Sequence, residues 1–119
     1  MLEIKQHPVY SNHYFTKDGR FFSTDKWNNL FENSGGESGQ GYIVTSLRDG
    51  DRWKTRQVHR LIMETWKPHS DSQNLQVNHI DGNKKNNHID NLEWCTPLEN
   101  IQHSHRMGLQ PGRGKNKRR

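Results

Sequence analysis

Apolar residues along this chain come in short clusters divided by polar runs rich in Asp-Gly and Asn, a pattern of small hairpins. Val9, Tyr10 and the run His13 to Phe15 precede Lys17-Asp18-Gly19-Arg20, and Phe21 and Phe22 follow. Asp-Gly between aromatic runs predicts a hairpin over residues 7 to 23, with Trp27, Leu30 and Phe31 closing that lobe. Residues 32 to 41 read as a flexible loop from their Gly and Ser content. A second hairpin is predicted from Tyr42 to Leu47, with a turn at Arg48-Asp49-Gly50-Asp51 and a return over Arg52 to Arg56. Val58, Leu61, Ile62 and Trp66 then recur at helical spacing before Pro68, which predicts a short helix packed on the hairpins. His59 and Arg60 open it, His59 read as surface polarity and Arg60 as a possible phosphate contact at a helix N-terminus. Residues 67 to 75 form a polar loop.

The densest stretch runs from Asn78 to Asn100. Val77 to Ile80 and Asn91 to Trp94 flank a segment of Asp, Gly, Asn and Lys, which predicts strand, turn and strand. Thr96, Pro97 and Glu99 then combine a capping hydroxyl, a fixed φ and a reciprocal carboxylate, so a helix starts at Thr96 or Pro97. It ends near Met107, where Gly108 can turn left-handed. On that helix Asn100, His103 and Ser104 share a face, and if it packs across the hairpin Asn100 can face His79. The β-turn-β-α unit suggests a water-activating base beside an oxygen-ligand metal site.

The chain has 119 residues, of which 28% are hydrophobic, enough for one domain with a small core anchored by aromatics. The expected class is α+β: a hairpin-rich region over 1–56, a core over 57–109, and a basic tail over 110–119. A single cysteine, Cys95, excludes an internal disulfide framework and reads as a small buried strand residue. With no apolar leader after Met1 and no run long enough to span a bilayer, the expectation is a soluble, intracellular protein away from membranes. The net charge of +5 equals the five cations Arg113, Lys115, Lys117, Arg118 and Arg119. That tail is either a solubilising end or an arm for nucleic-acid phosphates, without sequence readout.

The motif from Asn78 to Asn100 resembles the HNH endonuclease family, in the subgroup found in phage and intron-borne homing nucleases. The order of hairpins, Val-His-Arg-Leu-Ile, and Val-Asn-His-Ile-Asp-Gly-Asn extends a looser similarity to about residues 8 to 108. The resemblance implies a ββα-metal nuclease core that cleaves double-stranded DNA with one divalent ion, Mg²⁺ or Mn²⁺, acting as a monomer or weak dimer. His79 is the expected general base, since its ordinary pKa lies near neutrality and a hairpin end is a rigid mount. Asn91, 12 residues on, falls at the family's central asparagine, which implies that it ties the loop and helps orient the histidine. Asn100, 21 residues after His79, matches the third signature position, and its carbonyl is a hard ligand suited to those ions. Asn78 matches the other ligand position, where many relatives carry a carboxylate.

Other residues keep two readings. His103 is an extra ligand, a phosphate donor or simply a polar helix residue, and Asp81 is a turn residue or an outside metal ligand. Arg52, Lys54 and Arg56 alternate along one strand, so they share a face that meets DNA or guards a sheet edge. Lys84 and Lys85 are candidates for phosphate contact on the turn. The alternative function is a DNA-binding module that has lost catalysis. A zinc site from Cys95 and the histidines is disfavoured, because no Cys-x-x-Cys set exists.

Overall fold

The computed structural model describes residues 3–108, so the five tail cations from Arg113 onward lie outside the described residues. Four strands, β1 (Ile4–Gln6), β2 (His13–Thr16), β3 (Phe21–Thr24) and β4 (Leu30–Asn33), form an antiparallel sheet in sequence order. A second sheet follows from β5 (Gly36–Glu37), β6 (Ile43–Asp49) and β7 (Arg52–Gln57). Then come α1 (Val58–Trp66), the hairpin β8 (Gln76–His79) and β9 (Leu92–Cys95), and α2 (Pro97–Arg106). The architecture is α+β, and no helix among the described residues is long and apolar enough to cross a membrane.

The nine residues of α1 form the hub. Val58, Leu61, Ile62 and Met63 are fully or almost fully buried, and the helix touches strands of all three sheets. Phe15, Phe21, Leu47, Val77, Ile89 and Leu92 close around it. Each such side chain removed from water contributes about 1.5–3 kcal/mol, which lets a chain this polar fold. Polar side chains seal the rim. Glu64 on α1 accepts from His7 Nε2 at 2.9 Å and meets Arg56 and Arg60, while Trp66 Nε1 donates to the Phe15 carbonyl at 3.0 Å.

Both Asp-Gly hairpins form, and α2 begins with the full capping box at Thr96 and Glu99 and is followed by Gly108 at φ 73°. Three expectations change. Val9 and Tyr10 are not strand, because both backbone N–H groups donate to His7 Nδ1 in a local turn. Trp27, Leu30 and Phe31 close nothing. They are 71%, 47% and 48% exposed, since Asp25 bends the chain by accepting from the Trp27 and Asn29 amides, and β4 is the sheet edge. The loop over 32 to 41 is partly ordered as strand: β5 pairs with β6, and lysines of a distant loop reach Glu37 within it and Gln40 after it.

Gly19 joins the first hairpin to the Asn78–Asn100 region. Its φ is +96°, and a Cβ there would lie 3.0 Å from the Asn87 carbonyl carbon. Beside it, Ile89 N donates to the Lys17 carbonyl at 2.7 Å. Gly19→Ala therefore meets backbone strain and a backbone clash together, with an expected loss of about 1–3 kcal/mol in urea unfolding. A variant as stable as the parent would show that this hairpin tip does not bear on the loop around Asn87.

Candidate active site

The hairpin β8–β9 lies between the two helices, and strand alternation sorts its side chains. Val77 pairs with Trp94 and His79 with Leu92 on the face toward α1; Gln76 pairs with Cys95 and Asn78 with Glu93 on the face toward α2. Cys95 is buried, and its thiol is pushed up to about 11 by burial, which makes it an inert packing group.

His79 is 5% exposed and sits in an aromatic stack. His59 lies 4.5 Å from it and Tyr42 lies 6.0 Å from it, centroid to centroid. His79 Nε2 meets Asn87 Oδ1 at 2.8 Å. A carbonyl oxygen can only accept, so Nε2 carries the proton and the Nδ1 lone pair is left free. Nδ1 has no hydrogen-bond partner among the described residues, as a proton acceptor requires. Burial holds the His79 pKa below its ordinary value, against the raising effects of the Asn87 bond and of Asp81, so the ring is neutral near pH 7.

Asn87 and His59 are the residues that sequence reasoning missed. Asn87 stands in a polar run and carried no signal beyond the loop's asparagine richness. His59, taken as surface polarity, is 2% exposed, and burial lowers its pKa to about 3. The helical spacing around Val58 and Leu61 places position 59 toward the third sheet. Only the tertiary fold brings that sheet against the helix.

Asn91 ties the loop together. Its Oδ1 accepts from the Asp81 amide at 3.0 Å, and its Nδ2 donates to Asp81 Oδ1 and to the Asn86 carbonyl, each at 2.9 Å. The bond to His79 is made by Asn87, four residues earlier. Asp81 also accepts from Asn83 N and Asn86 Nδ2; the Asn86 bond leads in holding its carboxyl below the usual range. The carboxylate is thus spent on the turn.

Toward α2, Asn78 Nδ2 donates to Glu93 Oε2 at 2.8 Å, and Asn100 Nδ2 donates to Gln76 Oε1 at 2.7 Å. Asn100 therefore sits on the hairpin face opposite the His79 ring, a correction to the expectation that it faces that ring. His103 Nε2 donates to the Ile80 carbonyl at 2.9 Å, tying α2 to the strand end. Among the described residues no group of three His, Cys, Asp or Glu is disposed to hold a metal. The oxygens available to a hard cation here are amide carbonyls and one carboxylate, which suits Mg²⁺ or Mn²⁺ better than Zn²⁺.

Several basic candidates already have partners. Arg60 donates to the Leu75 and Ser72 carbonyls at 2.7 Å each and lies over Trp94, so it holds the 67–75 loop rather than the helix N-terminus. Arg56 binds the Tyr10 hydroxyl and Glu64, and Lys54 pairs with Asp49. Lys84 Nζ reaches the Gln40 carbonyl over the Tyr42 ring, while Lys85 pairs with Glu37. Arg52 is exposed on the β7 face shared with Lys54.

Residues 56–102 match the family model described as HNH endonuclease. An uncharacterised HNH endonuclease of Acanthamoeba polyphaga mimivirus is 39% identical over 93 residues, covering 78% of this chain and 27% of that protein. The DNA endonuclease I-HmuI of Bacillus phage SP01 is 38% identical over 68 residues, covering 57% of this chain and 38% of that one. A solved structure titled DNA binding and cleavage by the HNH homing endonuclease I-HmuI superposes with a TM-score of 0.73 at 29% identity. It covers 91% of this chain and 60% of that chain. The chain thus spans 27% and 38% of the length of these two curated relatives.

The buried histidine makes a testable statement about pH. A ring with a folded pKa near 3 and an unfolded value of 6.5 adds stability that is fully present above pH 6.5 and is lost as pH falls toward 3. Between pH 6.5 and 4.5 the loss from His59 should be about 2–3 kcal/mol. In His59→Phe, which keeps a ring and cannot titrate, that part of the acid slope should vanish from denaturant titrations. An unchanged slope would show that His59 is not the titrating group.

Proposed function

From the match of residues 56–102 to the HNH endonuclease family model, we propose that the chain is a divalent-metal-dependent endonuclease hydrolysing phosphodiester bonds in double-stranded DNA. The observation that carries this reading is the His79 ring, protonated on Nε2 toward Asn87 and bearing a free Nδ1 lone pair. I-HmuI, whose structure is titled for DNA binding and cleavage, supports DNA as the substrate.

In this reading Nδ1 of His79 removes a proton from a water molecule as its oxygen forms a bond to phosphorus. The bond from phosphorus to the 3′ oxygen breaks, that oxygen takes up a proton from a second water, and His79 returns its proton to solvent, leaving a 5′ phosphate and a 3′ hydroxyl. Asn87 keeps the correct nitrogen free and stabilises the imidazolium that results, since a carbonyl acceptor favours the charged ring. Asn91 fixes the loop that holds both. The residues that would hold the ion are Asn78 and Asn100, through their side-chain carbonyls. A bound Mg²⁺ or Mn²⁺ supplies Lewis-acid stabilisation of the phosphate and the departing oxygen. Arg52 on β7 and the tail cations 113–119 would contact phosphates without reading sequence.

Supercoiled plasmid incubated with the full chain and Mg²⁺ or Mn²⁺ should be nicked. His79→Ala should lower the rate by about 10²–10⁴-fold, the usual contribution of a general base. Asn87→Ala should also slow cleavage while leaving DNA binding unchanged. Intact plasmid with every ion, or equal cutting by His79→Ala, would sink the proposal.

A further inference from the structure

The α2 face of the β8–β9 hairpin poses a charge problem. Asn78 and Asn100 are neutral, so the two residues that would hold a dication bring no negative charge to it. The acids nearby are mostly committed. Asp81 accepts three hydrogen bonds within its own loop, and Glu99 Oε1 accepts from the Thr96 amide in the helix cap. Asp90 is exposed in the turn just before β9, 3.7 Å from His88.

Glu93 differs from all of these. It is the register partner of Asn78 in the antiparallel pair, so both side chains leave the same face of the hairpin. Its Oε2 accepts from Asn78 Nδ2 at 2.8 Å, and its Oε1 has no hydrogen-bond partner among the described residues. The bond settles how the Asn78 amide is turned: its nitrogen is held by the carboxylate, which leaves Oδ1 as the end available to a cation. Asn100 is turned in the same way, with Nδ2 held by Gln76. Neither Asn Oδ1 accepts a hydrogen bond among the described residues, although Asn78 is only 7% exposed. Both oxygens are therefore open to a ligand from outside the chain.

We propose that Glu93 is the anionic member of the divalent-ion site. It orients the Asn78 carbonyl through Oε2 and offsets the ion's charge with its carboxylate, the part that an aspartate at position 78 would otherwise play. A hydrogen-bonded carboxylate behind a ligand raises that ligand's donor strength, and losing one generally weakens a metal about 10–100-fold. The inference rests on the reading that an ion binds at Asn78 and Asn100, so the experiment separates the two.

Mn²⁺ binding to the full chain, without DNA, is followed by electron paramagnetic resonance and calorimetry for the wild type, Glu93→Gln, Asn100→Ala and Asp90→Asn. Glutamine still accepts from Asn78 Nδ2, so Glu93→Gln removes charge and leaves the hydrogen bond. Glu93→Gln and Asn100→Ala should each weaken Mn²⁺ at least about tenfold with unchanged thermal melting of the metal-free protein, and Asp90→Asn should bind as the wild type does. If Asn100→Ala weakens binding and Glu93→Gln stays within twofold of wild type, Glu93 is not part of the site and the ion reading stands. If the wild type binds no Mn²⁺, or Asn100→Ala binds as tightly, the ion reading fails and this inference with it. Equal weakening by Asp90→Asn would reduce the effect to general charge and overturn the assignment to Glu93.

Discussion

Burial of α1 on all sides is the constraint from which the rest follows. With few apolar residues available, three small sheets share one nine-residue helix as their common core, and none of them has a core of its own. The sheets are therefore fixed relative to one another by what they bury against Val58, Leu61, Ile62 and Met63. The His7–Glu64–Arg56 contacts and the Trp66 bond to Phe15 then seal the edges with polar groups that water would otherwise reach.

That arrangement explains how two remote hairpins serve one site. The tip of the first hairpin presses the Gly19 backbone against Asn87, and Asn87 holds the Nε2 side of His79. Tyr42, just before β6, and His59 on α1 together enclose the ring. Lys84 and Lys85 run the other way, from the motif loop to the segment before β6. Two lysines of the turn thus also bridge it to the second sheet's first segment.

Strand alternation gives the hairpin its division of labour. Adjacent residues Asn78 and His79 face opposite sides, so an apolar, enclosed environment around the imidazole coexists with a polar face beneath α2. The first keeps the imidazole neutral; the second gathers amide carbonyls and a carboxylate. A one-residue slip in register would exchange the two and destroy both.

Local chemistry was legible in the sequence wherever a short stretch carries its own physics. Asp-Gly turns, the Thr96–Glu99 capping box, the apolar spacing of α1 and the Asn78–Asn100 motif all specify structure through neighbours in the chain. The sequence by itself therefore determined the two Asp-Gly hairpins, both helices, the β8–β9 hairpin, the α+β class and the identity of the candidate base. Only the tertiary structure decided the environments. It turned His59 inward, since burial of a helix position depends on which sheet arrives there. It gave the orientation of His79 to Asn87, and left Trp27, Leu30 and Phe31 exposed because β4 lies at the edge. It also set Glu93 against Asn78, a pairing fifteen residues apart that strand register alone creates. Hydrogen bonds and burial between distant segments follow from packing, and packing has no signature in a local run of residues.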